Sequence, residues 1–374
     1  MSLKSLRPHE QLEVKFGEWF GNGRGRRRTV ACSSGTAALH LALETMGLPP
    51  GSPVFVPDYT MVAVARAVVL AGLRPAFVGC DLVGRMNLEG LADYLNESPR
   101  RGEVAVIVPH HYGMPPMLDQ FFGQLKGSIT PLVIEDLAEA HGTVPHERTY
   151  AACWSFYRNK IIAGEEGGAV AFASEFKADE CRSLRSLGFG AVQDYTHRPR
   201  GHNYRLADSL AELILRSMDH YEANLQIRRR SYDRLLYAWG EYNSSTARSK
   251  TYYWPLFGIA TPSRASGPEV RPWVFPIQFR TKKDRDEWLA KLRRDGIEAR
   301  PGFVSMTMQS EFQDCGIVVP DADEMGSRHL SGTVLYLPLT PGEVDVDRMI
   351  HSLTSPINPP DPPQPSPPYP LVVE

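Results

Sequence analysis

The run Ser155-Phe156-Tyr157-Arg158-Asn159-Lys160-Ile161-Ile162-Ala163-Gly164-Glu165-Glu166-Gly167-Gly168 decides how the rest of the chain is read. A short hydroxyl residue stands five positions before a lysine, and a glycine pair follows. The hydroxyl suits a phosphate. The amine suits an aldehyde, because an unprotonated amine condenses with a carbonyl carbon. A lysine partly withdrawn from water near other cations meets that condition at neutral pH. Read alone, the run is equally a surface lysine after a strand.

Two upstream stretches bear on it. In Val133-Ile134-Glu135-Asp136-Leu137-Ala138-Glu139-Ala140-His141-Gly142, an acid directly follows an apolar strand. Held at a sheet edge, Asp136 can pair with a protonated ring nitrogen and make that ring a better electron sink. It is also a fair N-cap for a helix-like stretch after it. Strand alternation sends Glu135 to the other face. In Ser33-Ser34-Gly35-Thr36-Ala37-Ala38-Leu39, small residues lead into a helix whose first N–H groups and dipole attract a phosphate. An ordinary Ser/Thr cap explains the same letters, and no lysine follows to make a Walker motif.

Strand and helix signals alternate from about residue 29 to 175. Apolar runs at Pro53–Val56, Pro75–Val78, Val104–Val108, Leu132–Ile134 and Ala169–Ala173 read as strands. Helical patterns lie between them at Thr36–Met46, Thr60–Leu70, Asn87–Leu95 and Met117–Leu125. This predicts an α/β fold with a mostly parallel sheet, whose ligands sit at the carboxyl ends of the strands. One long helical stretch, about 205–239, carries the stripe Leu206, Leu210, Leu213, Ile214 and Met218, read as a core or dimer face. A smaller α+β unit follows, with strands at Trp273–Phe279 and Val334–Leu337 and a helix at Lys283–Asp295 stopped by Gly296. The division expected is 1–245, 246–354, and a tail 355–374 whose nine prolines between Pro356 and Pro370 suit extended chain.

Composition bounds the partners. The 374 residues are 42% hydrophobic and 22% charged, with a formal net charge of −2. That is ordinary for a globular chain, large enough to bury a core without disulfides or structural metal. Nothing favours a nucleic-acid partner; Arg24, Arg26, Arg27 and Arg28 read as a solvated turn. No signal peptide or long apolar run appears, so neither export nor a membrane span is expected. Five scattered cysteines have no zinc spacing, and Cys32, Cys80 and Cys153 read as buried thiols, which fits a cytoplasmic location.

Taken together in this order on one α/β sheet, these elements resemble the DegT-type sugar aminotransferases, which have the aspartate-aminotransferase fold (fold type I). The resemblance runs from about Leu12 to Leu353. It includes Val56-Pro57 with Thr60, His110-His111-Tyr112-Gly113, Gly201-His202-Asn203-Tyr204-Arg205, Gly296-Ile297 and Leu337-Pro338-Leu339. It implies a three-layer large domain, pyridoxal 5′-phosphate, and a homodimer with shared active sites. Lys160 would be the aldimine lysine and Asp136 the partner of the pyridine nitrogen. Gly35, Thr36 and Ser155 would hold the phosphate, joined by Asn203 of the other subunit. Arg205 would take the carboxylate of an amino donor, glutamate, and the acceptor would be a keto sugar on a nucleotide. His110 and His141 read as packing residues, and no metal is implied.

The chain departs from the family pattern at several points. Met61 stands where the family has an aromatic residue over the cofactor ring, and a thioether covers a ring less rigidly. Glu139 stands where the family has glutamine, so its carboxylate must be protonated, turned away or paired. Gly164 and Glu165 replace a threonine and a glycine. The segment before the first helix is short beside the family's substrate-side loop. These departures keep two alternatives open: a cofactor-binding protein with little transaminase activity, or an acceptor not carried on a nucleotide.

Overall fold

The structure, a computed structural model, describes residues 5–19, 28–98, 102–189, 195–197, 200–245, 252–255, 271–322, 326–340 and 345–355. The proline-rich tail and Arg24, Arg26 and Arg27 lie outside them. The chain runs α1 (Pro8–Trp19), β1 (Arg28–Cys32), α2 (Gly35–Glu44), β2 (Pro53–Pro57), α3 (Ala63–Leu70), β3 (Arg74–Val78) and α4 (Leu88–Glu97). It continues β4 (Gly102–Pro109), α5 (Leu118–Gln124), β5 (Ile129–Asp136), β6 (Ala151–Ser155), β7 (Gly168–Phe172), α6 (Glu175–Arg185), α7 (Asp208–Asp219) and α8 (Tyr221–Ser245). The remainder is β8 (Tyr252–Pro255), β9 (Val274–Phe279), α9 (Lys282–Arg294), β10 (Arg300–Pro301), β11 (Ile317–Val319), α10 (Ser327–Thr333), β12 (Val334–Pro338) and α11 (Val346–Thr354).

The first seven strands and β11 form one sheet in the order β1-β7-β6-β5-β4-β2-β3-β11. β6, β5, β4, β2, β3 and β11 run parallel, and β7 runs against both its neighbours. The strand period of two splits the side chains between two layers. Val54, Val56, Ala105, Ile107, Ile134 and Cys153 face α2, α3 and α6. Phe55, Val104, Val106, Val108 and Val133 face α4 and α5. Ala152, Trp154 and Ala169 meet α1, α7 and the start of α8. The fold is therefore the expected three-layer α/β architecture. Each fully buried aliphatic or aromatic side chain in these layers contributes on the order of 1.5–3 kcal/mol.

β10, β12, β9 and β8 form a second, antiparallel sheet packed with α9, α11 and the far half of α8. α8 joins the two bodies. Its 25 residues span about 37 Å. Leu225 packs in the first core, while Leu235 and Trp239 pack in the second. The helical stretch read as continuous from 205 is in fact two helices, because His220 (φ −101°, ψ 5°) breaks the dihedral run between α7 and α8. β11 returns from the C-terminal part to the edge of the large sheet, beside β3. No run of letters around Ile317 announced that, because a three-residue strand has too little periodicity to read.

Candidate active site

The carboxyl ends of β1, β2, β4, β5 and β6 open on one edge of the large sheet, and the residues just beyond them line a cavity of about 350 Å³. Ser34, Gly35, Thr36, Thr60, Met61, His110, Asp136, Glu139, Ser155 and Lys160 all border it. The second sheet closes it with Trp273, Arg300, Phe303 and Tyr336.

One wall is a small-residue cradle. Ser34 caps α2, its side chain accepting from Ala37 N–H at 3.1 Å. Gly35 faces Ser155 so closely that a Cβ on it would lie 2.8 Å from the Ser155 Cβ. Any larger residue at 35 would close the space between the helix start and the serine hydroxyl. First-turn N–H groups have no partner inside their helix and favour an anion.

Asp136 ends β5 on the same face as Ile134, towards α2. Its Oδ1 accepts from Ala138 N–H at 3.0 Å. The chain beyond Asp136 makes a pair of turns, not the helix the N-cap reading requires. Burial raises the Asp136 pKa, and Ala138 N–H, Lys160 and His110 hold it back. Glu135 points to the opposite face, where it accepts from His110 (2.9 Å), His146 N–H (2.7 Å) and the Thr149 hydroxyl. Despite full burial, its pKa is lowered by those donors. His110 is thus held from behind while it borders the cleft.

Lys160 reaches into the cavity with its side chain 10% exposed. Its Nζ lies 3.7 Å from Glu139 Oε1 and 3.8 Å from the centre of the Trp273 ring. Burial lowers its pKa, opposed by Glu139 and Asp136 and helped by Arg228. Arg228 is buried in α8 and donates to the carbonyls of Trp273 (2.6 Å), Asn159 (3.2 Å) and Lys160 (3.2 Å). Trp273 Nε1 donates to the Asn159 carbonyl at 3.1 Å. The second sheet therefore grips the lysine loop directly.

His141 braces the same loop from below. Ile162 N–H donates to its Nδ1 at 2.9 Å, so Nε2 carries the proton and donates to the Ser155 carbonyl at 3.0 Å. Burial, with Lys160 nearby, pushes its pKa down to about 3, so it stays neutral. It does not line the cavity. Glu165 stands at φ 64°, the left-handed region that favours glycine. The glycine expected there from the resemblance has a conformational reason.

Glu139 is the charged departure, and the fold has provided for it. Its Oε2 accepts from Tyr112 N–H at 2.7 Å, a donor presented by the left-handed conformation of Tyr112 (φ 55°). Burial raises its pKa from 4.5 to about 7, against the pull of Lys160 and Tyr112 N–H. A carboxyl whose folded pKa lies above its unfolded value binds an extra proton in the folded state between the two. Stability then falls as pH rises through that window, here from about 4.5 to about 7. Lys160 carries the opposite sign: its lowered pKa adds stability as pH rises towards its unfolded value. Glu139→Gln is expected to flatten the decline of apoenzyme melting temperature between pH 5 and 7 while keeping the Tyr112 hydrogen bond. A parallel pair of melting profiles would show that the carboxyl does not titrate there.

Met61 borders the cavity but is 50% exposed, with its sulfur 3.1 Å from Ala63 N. It is folded back on the start of α3. Asn203 and Arg205 are exposed and do not border this subunit's cavity. The sequence reading missed Arg300, Phe303 and Tyr336 and took Trp273 only as strand. All four come from distant chain. The segment bearing Phe303 is tied down by buried Asp58, which accepts from Thr307 N–H at 2.8 Å and from the Ser305 hydroxyl. An acid after Val56-Pro57 was the available signal.

A desolvated amine in a cleft at the carboxyl edge of a fold type I sheet, with a small-residue helix start and a partly buried carboxyl on the same cavity, is the arrangement of a pyridoxal-phosphate-dependent aminotransferase. The chain belongs to the DegT/DnrJ/EryC1/StrS aminotransferase family, whose profile matches residues 7–354. It is 29% identical to the GDP-perosamine synthase of Caulobacter vibrioides, covering 91% of this chain and 88% of that one. It is 28% identical to the putative pyridoxal phosphate-dependent aminotransferase EpsN of Bacillus subtilis, covering 86% and 83%. Its fold matches that of PseC from Helicobacter pylori, an aminotransferase involved in the biosynthesis of pseudoaminic acid. The TM-score is 0.77 at 17% identity, over 93% of this chain and 90% of that one.

The residues fit the cofactor. Gly35 leaves room that a Cβ would fill, Asp136 lies partly buried at the cavity wall, and Lys160 is desolvated on the same cavity. The described cysteines are free, with Cys32, Cys80, Cys153 and Cys181 buried. No helix among the described residues is long and apolar enough to cross a membrane.

Proposed function

We propose that the enzyme transfers an amino group from glutamate to a keto sugar carried on a nucleotide. The observation that carries the reading is Lys160, held between Glu139 and Trp273 on the cavity that Gly35 and Ser155 also line. The name of the Caulobacter relative, with its GDP-linked amino product, supports the nucleotide. Gly35, Thr36 and Ser155 would hold the cofactor phosphate, Asp136 the ring nitrogen, and Met61 and Glu139 would flank the ring. When bound, the cofactor supplies an aldehyde carbon and an electron-withdrawing ring. Lys160, with its pKa lowered, takes a proton from the donor carbon and returns it one position away. Trp273 and Arg228 hold that amine in place. Donor product leaves before acceptor enters, which gives ping-pong kinetics.

Asn203 and Arg205 are assigned to the partner's cleft in a homodimer. Their exposure beside the cradle's own strand supports this: Ser33 N–H donates to the Tyr204 carbonyl at 2.9 Å. Exposed Met61, Leu70 and Met308 (50, 56 and 54%) supply apolar surface for such an interface. Arg205 would take the donor's carboxylate by its guanidinium fork. Arg300 lines this subunit's cavity along with Lys160, and the partner-side role predicts that Arg205→Lys raises the KM for glutamate more than Arg300→Lys does. The free thiols support a reducing, cytoplasmic setting.

The test is the first half-reaction. Holoenzyme mixed with glutamate alone is expected to change its cofactor spectrum and release 2-oxoglutarate. An unchanged spectrum would leave a cofactor-binding protein without transaminase activity. The aminated enzyme is then offered nucleotide-linked and free keto sugars, and return of the original spectrum identifies the acceptor class.

A further inference from the structure

Away from the active site, His40, Glu44 and His202 bring their ligand atoms within 4.8 Å of one another. His40 and Glu44 stand four residues apart on α2, so they share a helix face. His202 comes from the segment that follows α6. His40 is 2% exposed and Glu44 9%. His40 Nε2 and His202 Nε2 are each buried without a hydrogen-bond partner, and Glu44 Oε2, also buried, meets the Arg200 guanidinium as an ion pair. Such ring nitrogens are costly to leave unsatisfied, and two of them beside a buried carboxylate suit an occupant.

We propose that this cluster is a structural site for a divalent transition-metal ion, zinc by its ligand chemistry. Two imidazoles and one carboxylate are a common zinc set, with a water completing the tetrahedron. His40 Nε2 and Glu44 Oε1 are 3.7 Å apart, which is near the spacing of two ligands about 2.0–2.2 Å from a tetrahedral ion. His40 Nδ1 lies 3.1 Å from the Tyr204 hydroxyl. An Nδ1–H donated there fixes the ring and leaves the Nε2 lone pair facing the cluster, the usual outer support of a ligating histidine. The His202 ring lies 4.7 Å from that of His40 and stacks on Tyr204 at 4.9 Å. Arg200 approaches Glu44 Oε2 as an ion pair at 3.3 Å from the exposed side, where it would neutralise part of the carboxylate charge.

The ion would staple the segment 200–205 to α2. Backbone bonds already tie that segment to the end of α6, through His202 N–H to Leu184 (2.6 Å) and Tyr204 N–H to Arg185 (3.0 Å). The metal adds a further tie, beside the Tyr204–His40 and Arg200–Glu44 contacts, to the helix whose other end forms the cradle. It needs no role in amino transfer, so it stands whether or not that reading holds.

The experiment titrates chelator-treated full-length holoenzyme with cobalt(II) and with zinc. One equivalent per chain is expected, with tetrahedral cobalt absorbance at longer wavelength than the cofactor, and a zinc-dependent rise in melting temperature. His202→Gln, in a half-buried segment, should weaken binding at least about 100-fold, and Tyr204→Phe about 10-fold. Glu44→Gln repeats the first test on the helix side. Absence of cobalt absorbance in the wild type would overturn the site. So would undiminished binding by His202→Gln, which would put the ion elsewhere.

Discussion

Lys160→Ala is expected to leave a folded protein that has lost its covalently held cofactor and at least about 10⁴-fold of its turnover. The lysine side chain fills the cavity, not the core, and its charge is desolvated there at a cost. Removing it therefore asks little of the fold. What disappears is the amine proposed to meet the aldehyde and later to carry the proton. Borohydride treatment of the wild type should place the cofactor mass on the peptide containing Lys160, and the variant should carry none. Lys160→Arg keeps a cation beside Glu139 and Trp273 but supplies no nucleophile, so it should fail in the same way. A visible cofactor band in Lys160→Ala that survives dialysis and reduces onto another residue would remove Lys160 from its role.

Gly113→Ala is expected to cost on the order of 3–5 kcal/mol of stability, combining overpacking with a left-handed residue. Gly113 sits at φ 86°, and a Cβ there would lie 1.8 Å from the Arg271 carbonyl oxygen. Arg271 N–H bonds the Gly113 carbonyl at 3.1 Å, so neither segment can yield without breaking that tie. Any movement carries Trp273 off Lys160. The variant should thus lose cofactor affinity along with melting temperature. Gly47→Ala is the control: its φ is 67°, but nothing lies within 4 Å of the added carbon. That change should cost about 1 kcal/mol from backbone strain alone. Equal losses at the two positions would show that the Arg271 contact is not rigid.

Much of the large unit was legible because its physics is local. Buried parallel strands read as apolar runs, and the helices between them carried their own periodicity and caps. The cradle and Asp136 were legible for the same reason, since chain direction alone puts them at the carboxyl ends of β1 and β5. The turn after Asp136 was not. An Asx turn and a helix start share the same letters, and only the path of residues 137–143 separates them. The break at His220 was likewise invisible, because the helical stripe of α7 runs into α8 without an intervening proline or glycine.

The sequence by itself determined most strands and helices of the large unit and singled out Gly35, Asp136 and Lys160, each from residues a few positions apart. The tertiary structure decided what surrounds the amine. Trp273 covers it, Arg228 holds its loop, and Phe303 and Tyr336 line the same cavity, all from distant parts of the chain that no local pattern encodes. It also decided how Glu139 is accommodated, through a main-chain donor that exists only because Tyr112 takes a left-handed turn. Desolvation, which lowers the pKa of Lys160 and raises that of Glu139, depends on the whole cavity wall, so it is a property of the fold and not of the run that carries the lysine.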